Sequence, residues 1–437
     1  MTIPDSLLSC LVAFEPCFTG PSYRRFLTLM PGWLVCVGKH TVTGVMRAAG
    51  VADVDASGYH RFFSRGAWSP QHVGRVVLRQ VLNLVPKDHR VTLTLDDTLT
   101  RHTGKHIASA GMHRDPLLST GARPFFHFGH NWVVLAVAVT MPWGKTLSLP
   151  FFVALYWSVK TAKAEKVEHI KRTVLAAKMF SELVKCEAKR RFLVFTDNAY
   201  VNRSIVRELP ESVDLVGRGR MDAALYASPP PYRGMGRPRM KGKRLDSPQQ
   251  RAKRSRRWKK LDVVISGRPA TVHVQVFDAL WHIVGGSRTM RFVLVRDWPG
   301  HKKDDVLVST DLQLNAKDII DGYCQRWSIE ETFGWAKSRL GLEDPHNRTE
   351  HAVQRTAPMA LWTYSIVVLW YVNWARRRKT LPMRPGSWYR NKTVPSFADM
   401  LATLRRQCWT IWVSDQADKG RLDQKSLAPL LDVAGYG

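Results

Sequence analysis

The sequence predicts an α/β fold: a mixed sheet flanked by helices, interrupted by a basic, β-rich segment and bracketed by helical ends. Three observations carry this. Between residues 91 and 216 strand-like runs alternate with helix-like ones. A stretch dense in cations, followed by four further strand-like runs, breaks that alternation. The chain has 437 residues, 45% hydrophobic and 10% aromatic, a globular composition long enough for two or three domains.

Residues 1–85 read as helical and basic, with a short helix at 43–49 and a mix of aromatics and cations at 58–68. A DNA-binding module and a plain helical cap both fit them. Residues 91–95 alternate Thr with aliphatics and run into Asp96-Asp97-Thr98. Residues 132–141 are a continuous apolar run, broken by a Pro-Trp-Gly turn, with 147–155 as hairpin partner. A long amphipathic helix is expected over 163–188. A short buried strand follows at 192–195, ending at Thr196-Asp197, then a helix at 201–209 and a strand at 213–216. Three strands, helix, strand, helix, strand is the order of the ribonuclease-H-like fold. Strand-like runs at 261–265, 271–276, 291–296 and 306–310 follow the cationic stretch, and from residue 316 the pattern is helical. The expected units are therefore 1–85, a catalytic domain in two parts at 86–217 and 313–375, an insertion at 218–312, and a basic region at 376–437.

Charge narrows the partner. With 66 Lys and Arg against 36 Asp and Glu the chain carries +30, a field that attracts polyanions. Nucleic acid is the first candidate, ahead of an anionic membrane surface. Residues 233–260 hold thirteen of the cations and one acid, Asp246. With its prolines and glycines this stretch reads as an extended basic arm, or else as a solvated linker. Six cysteines without a C-x-x-C pair suit a reducing cytosol. No secretory signal is legible. Residues 357–374 are barely long enough for a membrane span and carry Thr363, Tyr364, Ser365 and Asn373; they read as a helix buried against the sheet, in a protein recovered without detergent.

Asp96, Asp97 and Asp197 are read at strand ends, where open α/β sheets keep their sites. Glu330 lies in a helical stretch in which Tyr323, Arg326, Glu330 and Lys337 fall within about 60° of one another. That polar stripe is either functional or a solvent face with an Arg326–Glu330 pair at i, i+4. Acids from three distant segments are what Mg²⁺-dependent phosphoryl transfer requires. His102, His106 and His113 are not read as zinc ligands, because Arg101 and Lys105 beside them suit phosphate contact better.

Tyr323-x₂-Arg326-x₃-Glu330-x₆-Lys337 matches the Y-x₂-R-x₃-E-x₆-K signature of bacterial insertion-sequence transposases of the Asp-Asp-Glu type. Asp197-x-Ala199-Tyr200 resembles the motif around that family's second acid, and Asp-Asp-Thr resembles the first. Asp222-Ala-Ala-Leu-Tyr226, with the Gly236-Arg-Pro-Arg and Lys241-Gly-Lys-Arg that follow, resembles the insertion-sequence-701-like branch, a relative of the insertion-sequence-4-like group. The resemblance spans about residues 40–375. It implies a cut-and-paste transposase with Asp97, Asp197 and Glu330 as ligands of two Mg²⁺ (or Mn²⁺) ions. Asp96 is the second choice for the first acid. Tyr323, Arg326 and Lys337 would hold DNA near the cut, and Lys253, Arg254, Arg256 and Arg257 of the arm would bind double-stranded DNA. Relatives stack a flipped base on a tryptophan, for which Trp281 and Trp298 are candidates here, against a packing role. A homodimer on DNA, in the cytoplasm at the bacterial nucleoid, completes the expectation. Two rivals stand beside it: a non-catalytic DNA-binding regulator, and a ribonuclease-H-like nuclease that cuts without joining.

Overall fold

The computed structural model describes residues 3–383 apart from 105, 116, 117, 120–122, 233, 235, 236, 266 and 302, together with 391–418 and 420. Lys105, Arg233, Gly236 and much of the basic C-terminal region thus lie outside the described residues.

The N-terminal segment forms helices α1 (Asp5–Leu11), α2 (Gly20–Val35), α3 (Val42–Ala48), α4 (Ser57–Ser64) and α5 (Pro70–Leu82). Strands β1 (Val91–Arg101), β2 (Gly111–Arg114), β3 (Phe126–Thr140) and β4 (Thr146–Tyr156) follow, then α6 (Val159–Ala164), α7 (Arg172–Cys186), β5 (Phe192–Thr196), α8 (Arg203–Val206) and β6 (Val213–Arg218). Next come α9 (Pro248–Arg254), β7 (Lys259–Ile265), β8 (Arg268–Leu280), α10 (His282–Gly285), β9 (Thr289–Arg296) and β10 (Asp305–Ser309). The chain continues through α11 (Ala316–Gln325), α12 (Trp327–Arg339), α13 (Glu350–Arg378) and α14 (Phe397–Asp418).

Among the described residues all ten strands join one mixed sheet, ordered β2-β3-β1-β5-β6-β10-β9-β8-β7, with β4 also on β3. β3 runs antiparallel to β1 and β4, while β1, β5 and β6 are parallel. The strands of the expected insertion form no sheet of their own. β10 pairs antiparallel with β6 through Ser309 and Val216, and β9, β8 and β7 continue outward as a meander.

Three local departures have physical causes. β1 does not stop at the acid doublet but runs on to Arg101, because β3 is long enough to keep pairing with it; only its ladder with β5 ends at Leu95. The single helix expected over 163–188 is two, because the chain turns at Lys166 with φ of 56°, a conformation no glycine or proline announces. The basic arm is not wholly extended. Ser247 and Gln250 form a capping box with Pro248 at the first turn, and this starts α9. Lys241 and Arg244 lie over the ring of Tyr226.

Helix α13 settles against β4 through a defect in the ladder. Pro150 supplies no N–H, and the β3–β4 register slips beside it, between Leu135 and Ala136. The carbonyls of Pro150 and Phe151 accept instead from Ser365 Oγ (2.9 Å) and Trp362 Nε1 (3.0 Å) of α13. No helix among the described residues is long and apolar enough to cross a membrane. The N-terminal helices dock on the same helix: Arg355 Nη1 and Nη2 donate to the carbonyls of Phe63 and Trp68, each at 2.9 Å. Trp33 Nε1 of α2 donates instead to Leu340 O, at the end of α12, at 2.9 Å.

On the other side of the sheet α11 covers Phe195, Val216, Val293 and Leu307 with Ile319, Ile320 and Tyr323. It comes close because residue 322 is glycine: an added Cβ would sit 2.1 Å from the Phe195 ring. Gly322→Ala should therefore lower stability by about 1–3 kcal/mol, the usual overpacking range, in urea denaturation. No loss would mean that α11 does not seat on β5 as described.

Burial also holds His102, His113 and His130 neutral, pushing their pKa values down to about 3, 4 and 4. The unfolded chain then binds more protons below about pH 6.5, so stability falls as pH falls. Denaturation between pH 7 and 5 should show a loss approaching about 1.4 kcal/mol per pH unit for each imidazole, offset by about one such contribution from Asp96, whose carboxyl, raised to about 8, keeps its proton in the native state. A flat profile would show that these rings take up protons in the native state.

Candidate active site

The site begins with strand pairing. Parallel β1 and β5 match Leu95 with Thr196, so the next residues, Asp96 and Asp197, emerge side by side where that ladder ends. Neighbouring strands lie about 4.8 Å apart, which brings two carboxylates into repulsion. Asp197 caps its own turn, accepting from Ala199 N at 2.9 Å. Its pKa is raised by burial and by Asp97. Burial drives the Asp96 carboxyl up to about 8 against the pull of Arg326, with Asp197 and Asp97 adding to the rise.

The third acid comes from α12. The helical stretch bends at Arg326, between α11 and α12; Tyr323 and Arg326 of the stripe are buried, while Glu330 keeps 40% of its side chain exposed. Buried Arg326 sends Nη1 to Asp96 Oδ2 at 2.6 Å and to Glu330 Oε1 at 3.1 Å. Lys337 Nζ donates to Leu99 O of β1 at 2.6 Å. Hydrogen bonds linking Thr94, Ser148 and Ser328 hydroxyls clamp β1, β4 and α12 together beside it. Tyr323 is buried, edge-on to Trp298.

Asp97 points elsewhere. Side chains alternate along a strand, so it shares a face with Leu93 and Leu95, away from Arg326. There it accepts from Arg172 Nη1 (2.5 Å), Tyr200 Oη (2.9 Å) and Asn131 Nδ2 (3.0 Å). The geometry thus joins Asp96, not the preferred Asp97, to Glu330 through Arg326. Arg172 and Asn131 escaped the sequence reading; nothing in their local pattern announces them.

Among the described residues no group of three His, Cys, Asp or Glu is gathered so as to hold a metal ion; the Arg326 guanidinium stands between Asp96 and Glu330. The two candidate stacking tryptophans are both core residues, at 4% and 7% exposure for Trp281 and Trp298, because each closes a hydrophobic cluster of the sheet. Among the described residues the exposed indole is that of Trp327, 57% exposed, with Arg326 5.4 Å from its ring. Its place inside the signature was the signal available for it.

Two groups of cations lie elsewhere on the described chain. Lys253, Arg254, Arg256 and Arg257 are exposed, Arg254 pairing with Asp246 at 2.8 Å. On the Asp97 face a cleft of about 400 Å³ is lined by Lys171, Arg172 and Arg203 without an acid.

No curated protein matches the chain. Among solved structures it is similar to the piggyBac transposase in a synaptic complex with hairpin DNA. That likeness covers 98% of this chain and 80% of the other at 11% identity, with a TM-score of 0.43. The description "DDE superfamily endonuclease" matches residues 13–276, a span that takes in Asp96, Asp97 and Asp197 and stops short of Glu330. The chain therefore belongs to the DDE superfamily endonuclease family.

Proposed function

We propose that this protein is a DNA transposase that cuts the ends of a mobile element and joins the freed 3′-hydroxyls to target DNA. The observation that carries the reading is the placement of Asp96 and Asp197 at the end of the β1–β5 ladder, with Glu330 tied to Asp96 by Arg326, on a chain of this family. Strand order β4-β3-β1-β5-β6, with only β3 reversed, supports a ribonuclease-H-like core. The Tyr323, Arg326, Glu330 and Lys337 signature supports the insertion-sequence type within the family.

Asp96, Asp197 and Glu330 form the donor set, with Asp96 taking the place the sequence reading gave to Asp97. The set fits Mg²⁺ or Mn²⁺ in its chemistry: it offers carboxylate oxygens only, the donors that hard divalent cations prefer. Two such ions, when bound, would activate water and neutralise the leaving 3′-oxygen. The chain's own contribution is to fix the carboxylates on strands and helix, and to lead DNA to them. Lys337, the arm cations and the Lys171–Arg172–Arg203 cleft bind backbone phosphates, and Trp327 offers a stacking face. Asp97 buttresses β1 through Arg172 and Tyr200. On DNA the protein works as a homodimer.

Asp96→Ala, Asp197→Ala and Glu330→Ala should each reduce cleavage of a plasmid bearing the element's own ends by at least about 100-fold. Gel-shift binding should persist, since it rests on the cations. Asp97→Ala should act mainly through stability. A folded Asp97→Ala protein without cleavage, beside an active Asp96→Ala, would reverse the assignment. Joined products in the same assay separate a transposase from a nuclease that only cuts; no cleavage by the wild-type protein would leave a DNA-binding regulator.

Neutralising Lys253, Arg254, Arg256 and Arg257 should weaken binding to all DNA sequences alike. The slope of log K against log salt should become shallower by about 0.9 for each phosphate that the arm no longer neutralises. An unchanged slope would mean that the arm does not touch DNA.

A further inference from the structure

We infer that Arg326 is the counter-ion of the acid site in the free protein and that DNA draws it away, so that metal loading is coupled to DNA binding. The inference rests on the proposed assignment of Asp96, Asp197 and Glu330 as the cation-binding set.

The guanidinium stands between two acids of the set. A single nitrogen, Nη1, bonds to both Asp96 and Glu330, and Asp197 feels the same charge. Without it, several buried or half-buried carboxylates would face one another uncompensated. With it in place a divalent ion would enter against a like charge only a few ångströms off, a repulsion that low-dielectric surroundings magnify.

The same arginine is incompletely satisfied. Its Nε is buried without a hydrogen-bond partner, an arrangement that a better acceptor would relieve. Its guanidinium lies 5.6 Å from the Tyr323 ring and 5.4 Å from the Trp327 ring. Tyr323 is buried, whereas Trp327 is open to solvent, so the way out runs along the indole. A phosphodiester arriving there offers the guanidinium paired oxygens, its preferred partner. DNA binding then leaves Asp96 and Glu330 free for the cation. Linkage makes the effect reciprocal: the factor by which DNA tightens metal binding equals the factor by which metal tightens DNA binding.

Mn²⁺ binding to the full chain, followed by electron paramagnetic resonance, tests this with and without a short random-sequence DNA duplex. The wild-type protein should bind Mn²⁺ weakly alone and at least about ten-fold more tightly with the duplex, the lower part of the usual coupling range. Arg326→Gln should bind tightly without DNA and gain little from it. Arg326→Lys, which keeps a charge, should stay weak. Loss of a merely structural arginine would lower stability without tightening Mn²⁺ binding. Equal Mn²⁺ affinities for wild type and Arg326→Gln, or an affinity in the wild type that ignores the duplex, would overturn the inference while leaving the acid site standing. Binding unaffected by Asp96→Asn and Glu330→Gln would overturn both. The wild-type comparison needs no variant to fold.

Discussion

Everything at the candidate site follows from the parallel pairing of β1 with β5. Their register sets two aspartates side by side at the end of the ladder, where pairing between these strands stops and side chains must satisfy themselves. Carboxylates held that close in a half-buried crevice demand positive charge. The chain meets the demand from α12, one helix away in space though more than a hundred residues away in sequence. The Thr94–Ser148–Ser328 hydroxyl chain ties α12 to β1 and β4, and Gly322 lets α11, the helix that leads into it, close on the Phe195 ring of β5.

The Asp96-Asp97 doublet divides labour by strand geometry alone. Consecutive residues of a strand look in opposite directions, so one acid meets α12 and the other meets α7. Each finds an arginine there, Arg326 on one side and Arg172 on the other. The sheet is held at the same point from both faces, and only one of those faces carries the acid-bearing helix. A doublet that reads as redundancy in one dimension is a functional residue and its anchor in three.

Much of this was legible in the sequence. The strand runs leading into Asp96 and Asp197, the helical stripe from Tyr323 to Lys337 and the buried character of α13 all follow from local periodicity, which short-range sterics dictate. What stayed hidden was decided by partners far along the chain. Choosing between Asp96 and Asp97 needs the strand's facing, which no alternation reveals when both neighbours are acids. The break at Lys166 has no breaker residue. The joining of β7–β10 to the main sheet depends on β6 offering β10 a free edge, a matter of long-range pairing. Trp281 and Trp298 stand out in the sequence only because an indole's composition says nothing of its depth.

The slip in β4 has a consequence for how this sequence can change. Because Pro150 and Phe151 turn their carbonyls toward α13, positions 150, 151, 362 and 365 form one hydrogen-bonded unit drawn from two distant segments. A drift of Trp362 or Ser365 to an aliphatic residue strands an acceptor. A drift of Pro150 to a residue that restores the ladder strands the donors on the helix. The neutral paths available to the two segments are therefore joint ones, and kindred sequences that lack the proline should also lack the polar pair in the helix.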